Sequence, residues 1–73
     1  MAGYTVGVIG ATGAVGREFL RVMEERAFPV RELRLWASPR SRGRQIEFGG
    51  ESHTVEALED AAFDGLDFVL ISA

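Results

Sequence analysis

Three glycines stand at a spacing that can hold an anion: Gly10-Ala11-Thr12-Gly13-Ala14-Val15-Gly16, or G-x-x-G-x-x-G. The commonest dinucleotide fingerprint is G-x-G-x-x-G, so this run has one extra residue between its first two glycines. The physics is shared. Gly10 lets the chain leave a strand sharply, Gly13 brings backbone up to a pyrophosphate without a Cβ, and Gly16 lets a helix pack closely. The N–H groups of Gly13, Ala14 and Val15 then face anionic oxygens, aided by the helix dipole. Thr12 adds a hydroxyl donor. A bare glycine triplet also serves as a purely structural turn, so its flanks decide the reading.

A second group lies further along. In NAD-binding units an acid about 20 residues beyond the glycines accepts hydrogen bonds from the ribose 2′-hydroxyl. Here Ser38, Arg40, Ser41 and Arg42 stand 22 to 26 residues after Gly16, with no acid among them. A carboxylate would repel a 2′-phosphate, whereas arginine forks and serine hydroxyls bind one. Arg40 is also placed to stack on an adenine face. All eight basic residues are arginine, and residues 31–44 carry a net +4 while residues 45–73 carry −7. The +4 island coincides with the position where NADP and NAD are told apart. The competing reading is a solvated arginine-rich loop.

The flanks supply the required elements. Residues 4–9 (Tyr-Thr-Val-Gly-Val-Ile) read as a buried parallel strand. From Ala14 or Val15 to about Arg26 the period becomes helical. Val15, Phe19, Val22 and Met23 form one apolar stripe, widened by Leu20, and Pro29 is expected to stop the helix. Residues 32–37 alternate as a second strand, and residues 38–43 form a polar loop. Residues 45–48 and 52–55 flank Gly49-Gly50-Glu51 as a β-hairpin. Residues 56–63 are expected to form a short helix or turn. Residues 67–71 read as a third strand, continuously apolar and hence central and parallel. The fold class is therefore α/β: a Rossmann-like parallel sheet, made of the first βαβ unit plus a β-hairpin.

Composition narrows the class. Seventy-three residues allow at most one domain, and the chain holds no cysteine, so disulfides and cysteine-based zinc sites are excluded. No apolar run approaches the ~20 residues that span a bilayer, and residues 1–4 lack a signal-peptide pattern. These features set the expectations of a cytoplasmic location and no membrane partner. The net charge of −3 argues against nucleic acid. His53, the single histidine, reads as a surface or edge-strand residue, and Trp36 as packing. Asp60, Asp64 and Asp67 read as a solvated face rather than metal ligands, so no metal is expected. A chain this short is marginal without staples. It is therefore expected to be the incomplete first part, residues 1–73, of a larger domain.

Residues 10–18 (Gly-Ala-Thr-Gly-Ala-Val-Gly-Arg-Glu), 24–30 (Glu-Glu-Arg-Ala-Phe-Pro-Val) and 32–43 (Glu-Leu-Arg-Leu-Trp-Ala-Ser-Pro-Arg-Ser-Arg-Gly) resemble the N-terminus of bacterial aspartate-semialdehyde dehydrogenases. Residues 63–73 are similar to the segment leading into that family's Ser-Ala-Gly turn. The resemblance implies NADPH-dependent reduction of β-aspartyl phosphate to aspartate semialdehyde, on the route to lysine, threonine and methionine. It implies that Thr12, Gly13, Ala14 and Val15 hold the pyrophosphate. Arg40 and Ser41, beside Ser38, would hold the 2′-phosphate. Ser72 and Ala73 would approach the ribose and nicotinamide side. Arg42 departs from the family, where a small residue is common.

The resemblance also implies a cysteine nucleophile, an acid/base histidine and substrate-clamping arginines. None matches a residue of this chain, so no catalytic residue is expected here, and the chain alone is expected to be inactive. An acyl-phosphate substrate and a homo-oligomeric state are expected of the intact enzyme. Other readings are an N-acetyl-glutamyl-phosphate reductase, an extended short-chain reductase, or a non-enzymatic nucleotide-sensing module. Residues 37–41 and the Gly-Gly hairpin favour the aspartate-semialdehyde dehydrogenase family over these.

Overall fold

The apolar run Tyr4–Ile9 forms strand β1, and the glycine turn leads from it into helix α1, Ala14–Glu25. Strand β2 spans Val30–Ala37, β3 Gln45–Phe48, β4 Glu51–Ala57 and β5 Phe68–Ile71. A computed structural model describes residues 3–60 and 62–72 of the chain. The strands form one sheet in the order β3-β4-β2-β1-β5. All neighbours are parallel except β3 and β4, which are antiparallel. This is the α/β, mostly parallel sheet that the sequence predicts, with β2 at its centre between β4 and β1.

One face of the sheet carries the core. Val6 and Val8 of β1, Leu33, Leu35 and Ala37 of β2, and Val55 of β4 are buried with Leu20 and Met23 of α1. Alternation along each strand sends these residues to the same side. The helix uses a line rotated from the predicted stripe. Gly16, Leu20 and Met23 are buried, whereas Val15 is 61% exposed. Gly16, with no side chain, packs directly on the Gly10-Ala11 turn, and Val15, one residue back on the helix, lies to the side of that contact. On the outer face Arg21 reaches both Glu18 and Glu25. That contact holds the Glu18 carboxyl below its ordinary range, chiefly through the Arg21 hydrogen bond. The triad is solvent-exposed and adds little to stability, so burial of Leu20 and Met23 holds the helix in place.

The opposite face is organised by Trp36, which is fully buried. The packing role expected of it holds. Its six-membered ring lies over Gly7, where an added Cβ would come within 2.7 Å of Cζ3. Phe63, from the β4–β5 connection, meets it edge-on at 5.2 Å, and the Arg34 guanidinium lies 5.4 Å from the ring centroid. The indole Nε1 is buried with no hydrogen-bond partner among the described residues.

Several boundaries differ from the sequence expectation. Pro29 does not stop the helix, which ends at Glu25. Ala27 adopts a left-handed φ of 52°. Its N–H donates to the Glu24 carbonyl at 3.1 Å, and the Phe28 N–H donates to the Met23 carbonyl at 3.0 Å. This is a Schellman cap, with alanine where glycine usually stands. β2 begins two residues early, at Val30, which pairs with Tyr4.

The short helix or turn expected over 56–63 is met only by a turn at its middle. β4 runs through Ala57 to pair with β2, and one 3₁₀ turn follows at Leu58–Asp60. β5 is parallel as expected but not central: among the described residues it has one neighbour, β1, and Phe68, Val69 and Ile71 are about half exposed or more. The Gly49-Gly50 turn has φ of 62° and 83°, the two positive angles of a type I′ hairpin. His53 lies on β4, second from the sheet edge, half-buried with its ring 6.3 Å from Phe48.

A left-handed alanine costs about 1–2 kcal/mol that glycine avoids. Ala27→Gly is therefore expected to raise the stability of the fold by about 1 kcal/mol, read as a higher urea midpoint at unchanged slope.

Candidate dinucleotide-binding site

The glycine turn is fixed by one acceptor. The Trp36 carbonyl, near the end of β2, takes the Gly10 N–H at 2.8 Å and the Ala11 N–H at 3.1 Å. Gly10 has φ of 87°, and an added Cβ would come within 2.6 Å of the Ser72 carbonyl oxygen. Gly16 packs onto the same turn; a Cβ there would meet the Gly10 carbonyl oxygen at 2.4 Å. Both glycines are thus required by the protein's own atoms.

Gly13 is different. Its φ is −80°, which any residue adopts, and an added Cβ would meet only the Gly10 oxygen, at 3.4 Å. Nothing in the chain needs a glycine there. Gly13 is the N-cap of α1 and makes no side-chain cap bond. The first-turn N–H groups have no acceptor within the helix. An open approach beside uncapped N–H groups at the positive end of a helix fits a phosphate group.

The turn meets the arginine-rich loop at Thr12. Its Oγ1 lies 3.2 Å from Oγ of Ser41. Ser41 sits in a 3₁₀ turn, Pro39–Ser41, closed by hydrogen bonds from the Ser41 N–H to the Ser38 carbonyl and from the Arg42 N–H to the Pro39 carbonyl. Two bonds with Val55, from the Gly43 N–H at 2.9 Å and to the Arg44 carbonyl at 2.8 Å, tie the loop to β4. Arg40 is exposed and makes no ion pair among the described residues. Arg42 lies 3.8 Å from Glu59.

Most of the expected site residues therefore converge. Gly10, Thr12, Gly13, Ala14 and Val15 form the turn and the start of α1. Ser38, Arg40 and Ser41 follow β2 beside it. Ser72 closes the third side: its N–H donates to the Ile9 carbonyl at 2.9 Å, at the end of β5. Ala73 lies outside the described residues.

One residue that the sequence reading missed helps to hold this wall. Asp67, expected on a solvated face, accepts the Thr5 N–H through Oδ2 at 2.8 Å, while its own N–H donates to the Thr5 carbonyl at 2.8 Å. Its position directly before the apolar run of β5 is the signal that could have found it. No group of three or more His, Asp or Glu side chains that could hold a metal occurs among the described residues, and no described helix is long and apolar enough to cross a membrane.

The contrast between the glycines is testable. Gly13→Val is expected to abolish binding of NADP+ and NAD+ alike, with stability changed by no more than about 1 kcal/mol. Gly16→Ala drives a Cβ into the turn and is expected to cost about 1–3 kcal/mol of stability. Urea unfolding and cofactor titration on both variants check the pair.

The chain is similar to several known proteins. It is 54% identical over 72 residues to the aspartate-semialdehyde dehydrogenase of Aquifex aeolicus, covering 97% of this chain and 21% of that protein. It is 41% identical over 71 residues to that of Bacillus subtilis, covering 97% and 20%. Among solved structures, aspartate semialdehyde dehydrogenase II from Vibrio cholerae, complexed with ASA, superposes with a TM-score of 0.95 at 42% identity. That match covers 99% of this chain and 24% of the other. A probable aspartate-semialdehyde dehydrogenase from Pseudomonas aeruginosa matches at a TM-score of 0.91 and 32% identity, covering 99% and 22%. The chain thus spans about a fifth of the length of the curated relatives it matches. Residues 5–73 match the family model for the semialdehyde dehydrogenase NAD binding domain, and the chain belongs to that family.

Proposed function

We propose that this chain is the NADP-binding part of an aspartate-semialdehyde dehydrogenase. That enzyme reduces β-aspartyl phosphate to aspartate semialdehyde with NADPH, toward lysine, threonine and methionine. The observation that carries the choice of NADP is the contact between Thr12 and Ser41. It sets a loop of Arg40 and two serines, with no acid, against the glycine turn. A guanidinium and hydroxyls are the groups a 2′-phosphate requires.

In this reading the N–H groups of Ala14 and Val15 hold the pyrophosphate; the Gly13 N–H, expected to join them, donates instead to the Gly10 carbonyl at 3.0 Å, and Gly13 leaves room for the anion. Ser38, Arg40 and Ser41 hold the 2′-phosphate. Ser72 and Ala73 border the ribose and nicotinamide side. The bound cofactor supplies a hydride to the acyl carbon. Residues 1–73 position it, and the thiolate, the acid/base histidine and the substrate-clamping arginines come from other parts of a cytoplasmic, homo-oligomeric enzyme. The aspartate-semialdehyde dehydrogenase relatives support this substrate over those of other reductases that open with Gly-Ala-Thr-Gly.

A hydrogen bond to a charged group contributes roughly 1.5–3 kcal/mol. Arg40→Ala is therefore expected to weaken NADP+ binding about ten- to a hundredfold and to leave NAD+ nearly unchanged. Calorimetric titration of both cofactors checks it. An equal loss with both would remove Arg40 from the 2′-phosphate.

A further inference from the structure

We infer that β3 is a self-complementary edge, where a second copy of the chain pairs antiparallel to it and carries the sheet through both copies. This surface lies at the opposite edge from β5 and does not depend on the cofactor reading. Among the described residues β3 has one neighbour, β4. An open strand edge presents a row of donors and acceptors, which proteins guard with lysine, proline or a bulge. Residues 45–48, Gln-Ile-Glu-Phe, hold neither lysine nor proline.

Alternation along the strand fixes which groups face outward. The Arg44 carbonyl accepts the Val55 N–H at 2.8 Å, so it points into the sheet. Bonded and non-bonded residues alternate along an antiparallel pair. Ile46 and Phe48 therefore bond to His53 and Glu51, which stand across from them on β4. The N–H and C=O groups of Gln45 and Glu47 point away from the sheet. Gly49, next in that series, gives its N–H to Glu24 Oε2 at 2.9 Å.

Two copies meet at this edge about a two-fold axis, the commonest symmetry of a homodimer. Centred on Ile46, the pairing sets Gln45 of each copy opposite Glu47 of the other. Each such pair exchanges two bonds, so every outward main-chain group of the strand is used. On one face Ile46 meets Ile46, continuous with the core that it already borders. On the other face the Gln45 amide gives one proton to Thr54 Oγ1 at 2.8 Å and has a second for the Glu47 carboxylate opposite. Neighbouring registers fail. Centred on Glu47, they oppose two carboxylates. Centred on Gln45, they bring Glu47 opposite Gly43, whose N–H is committed to the Val55 carbonyl at 2.9 Å.

The flanking helix agrees with this register. Arg17, Arg21 and Glu24 of α1 line a groove of about 280 Å³ beside β3. Arg21 is held by Glu18 and Glu25. Glu24 lies at the Gly49 end of the groove, so Arg17 lies at the other. The two-fold axis reverses that order and turns the Arg17 end of one copy toward the Glu24 end of the other. Four residues bury little area, so the association is weak and depends on concentration.

The test is sedimentation velocity on the whole protein from about 10 μM to about 1 mM, the range in which a small interface assembles. The mass is expected to rise toward twice its dilute value. Glu47→Pro is expected to hold it at the dilute value; because the Glu47 N–H faces outward, proline there removes no ladder bond, and thermal melting confirms the fold. A second arm uses oxidation. Residues opposite each other in a non-bonded pair have Cα atoms about 4.5 Å apart, within the roughly 4.4–6.8 Å that a disulfide spans. Ile46→Cys is therefore expected to link position 46 of two copies, read by peptide mapping. Ser52→Cys, on β4, is expected not to link.

A mass that stays constant with concentration, or rises equally in Glu47→Pro, would overturn the pairing. So would a link at position 46 that forms no faster than one at position 52. The oxidation arm decides alone if the proline variant does not fold. If another part of the same polypeptide covers β3, the Gln45 and Glu47 amides resist hydrogen exchange even in dilute solution, and the pairing falls.

Discussion

A single carbonyl oxygen holds the candidate site together. Trp36 accepts the N–H groups of both Gly10 and Ala11, so the glycine turn cannot move without the end of β2. That carbonyl is itself held by the side chain of the same residue. The indole lies over Gly7 and is closed off by Phe63, and no part of it reaches solvent. A large ring buried at the centre of a sheet has few alternative placements in a close-packed interior. The packing of one side chain thus sets the position of two backbone donors, and these set where α1 begins. Gly7 belongs to this arrangement as much as the three glycines of the turn, since any Cβ there would collide with the ring.

The turn divides its work among residues of similar appearance. Gly10 and Gly16 answer to crowding by the protein's own carbonyl oxygens. Gly13 faces no such crowding. Thr12 turns away from the helix start and toward the loop after β2. Ser72 brings the end of β5 against Gly10. Three strand ends therefore meet at one point, at the carboxyl ends of parallel strands, where open α/β sheets bind ligands.

The sequence carried much of this. The β1-turn-α1-β2 order was legible because the period changes from two to 3.6 at a glycine run, and a local change of period needs no tertiary information. The hairpin was legible because Gly-Gly offers the two positive φ angles of a two-residue turn. What the sequence concealed depended on contacts between distant segments. The end of α1 is set by Ala27 in a conformation that alanine seldom adopts, so Pro29 was the more visible signal. The second half of β4 is a strand because β2 is beside it, which a short run of Glu, Ala and Leu does not announce. Trp36 alternates with Leu35 and Ala37, which face α1, so it falls on the other face of the sheet, and only the folded chain shows that Phe63 covers it. The turn and the loop each read as a candidate anion site, but nothing in their spacing reveals that Thr12 and Ser41 touch.

The pairing of Thr5 with Asp67 has a kinetic side. Its two hydrogen bonds join residues 62 positions apart, almost the full length of the chain. β1, α1 and β2 can assemble through contacts between near neighbours, whereas β5 must close a loop around everything between. Closing a long loop costs entropy before the ladder returns any of it, and such contacts form late in folding. The wall that Ser72 adds to the glycine turn is therefore the last part to arrive. The order of assembly runs from the glycine turn, complete once β2 is in place, to the side bordered by β5. A nascent chain would acquire the glycine turn first and the wall at Ser72 afterwards.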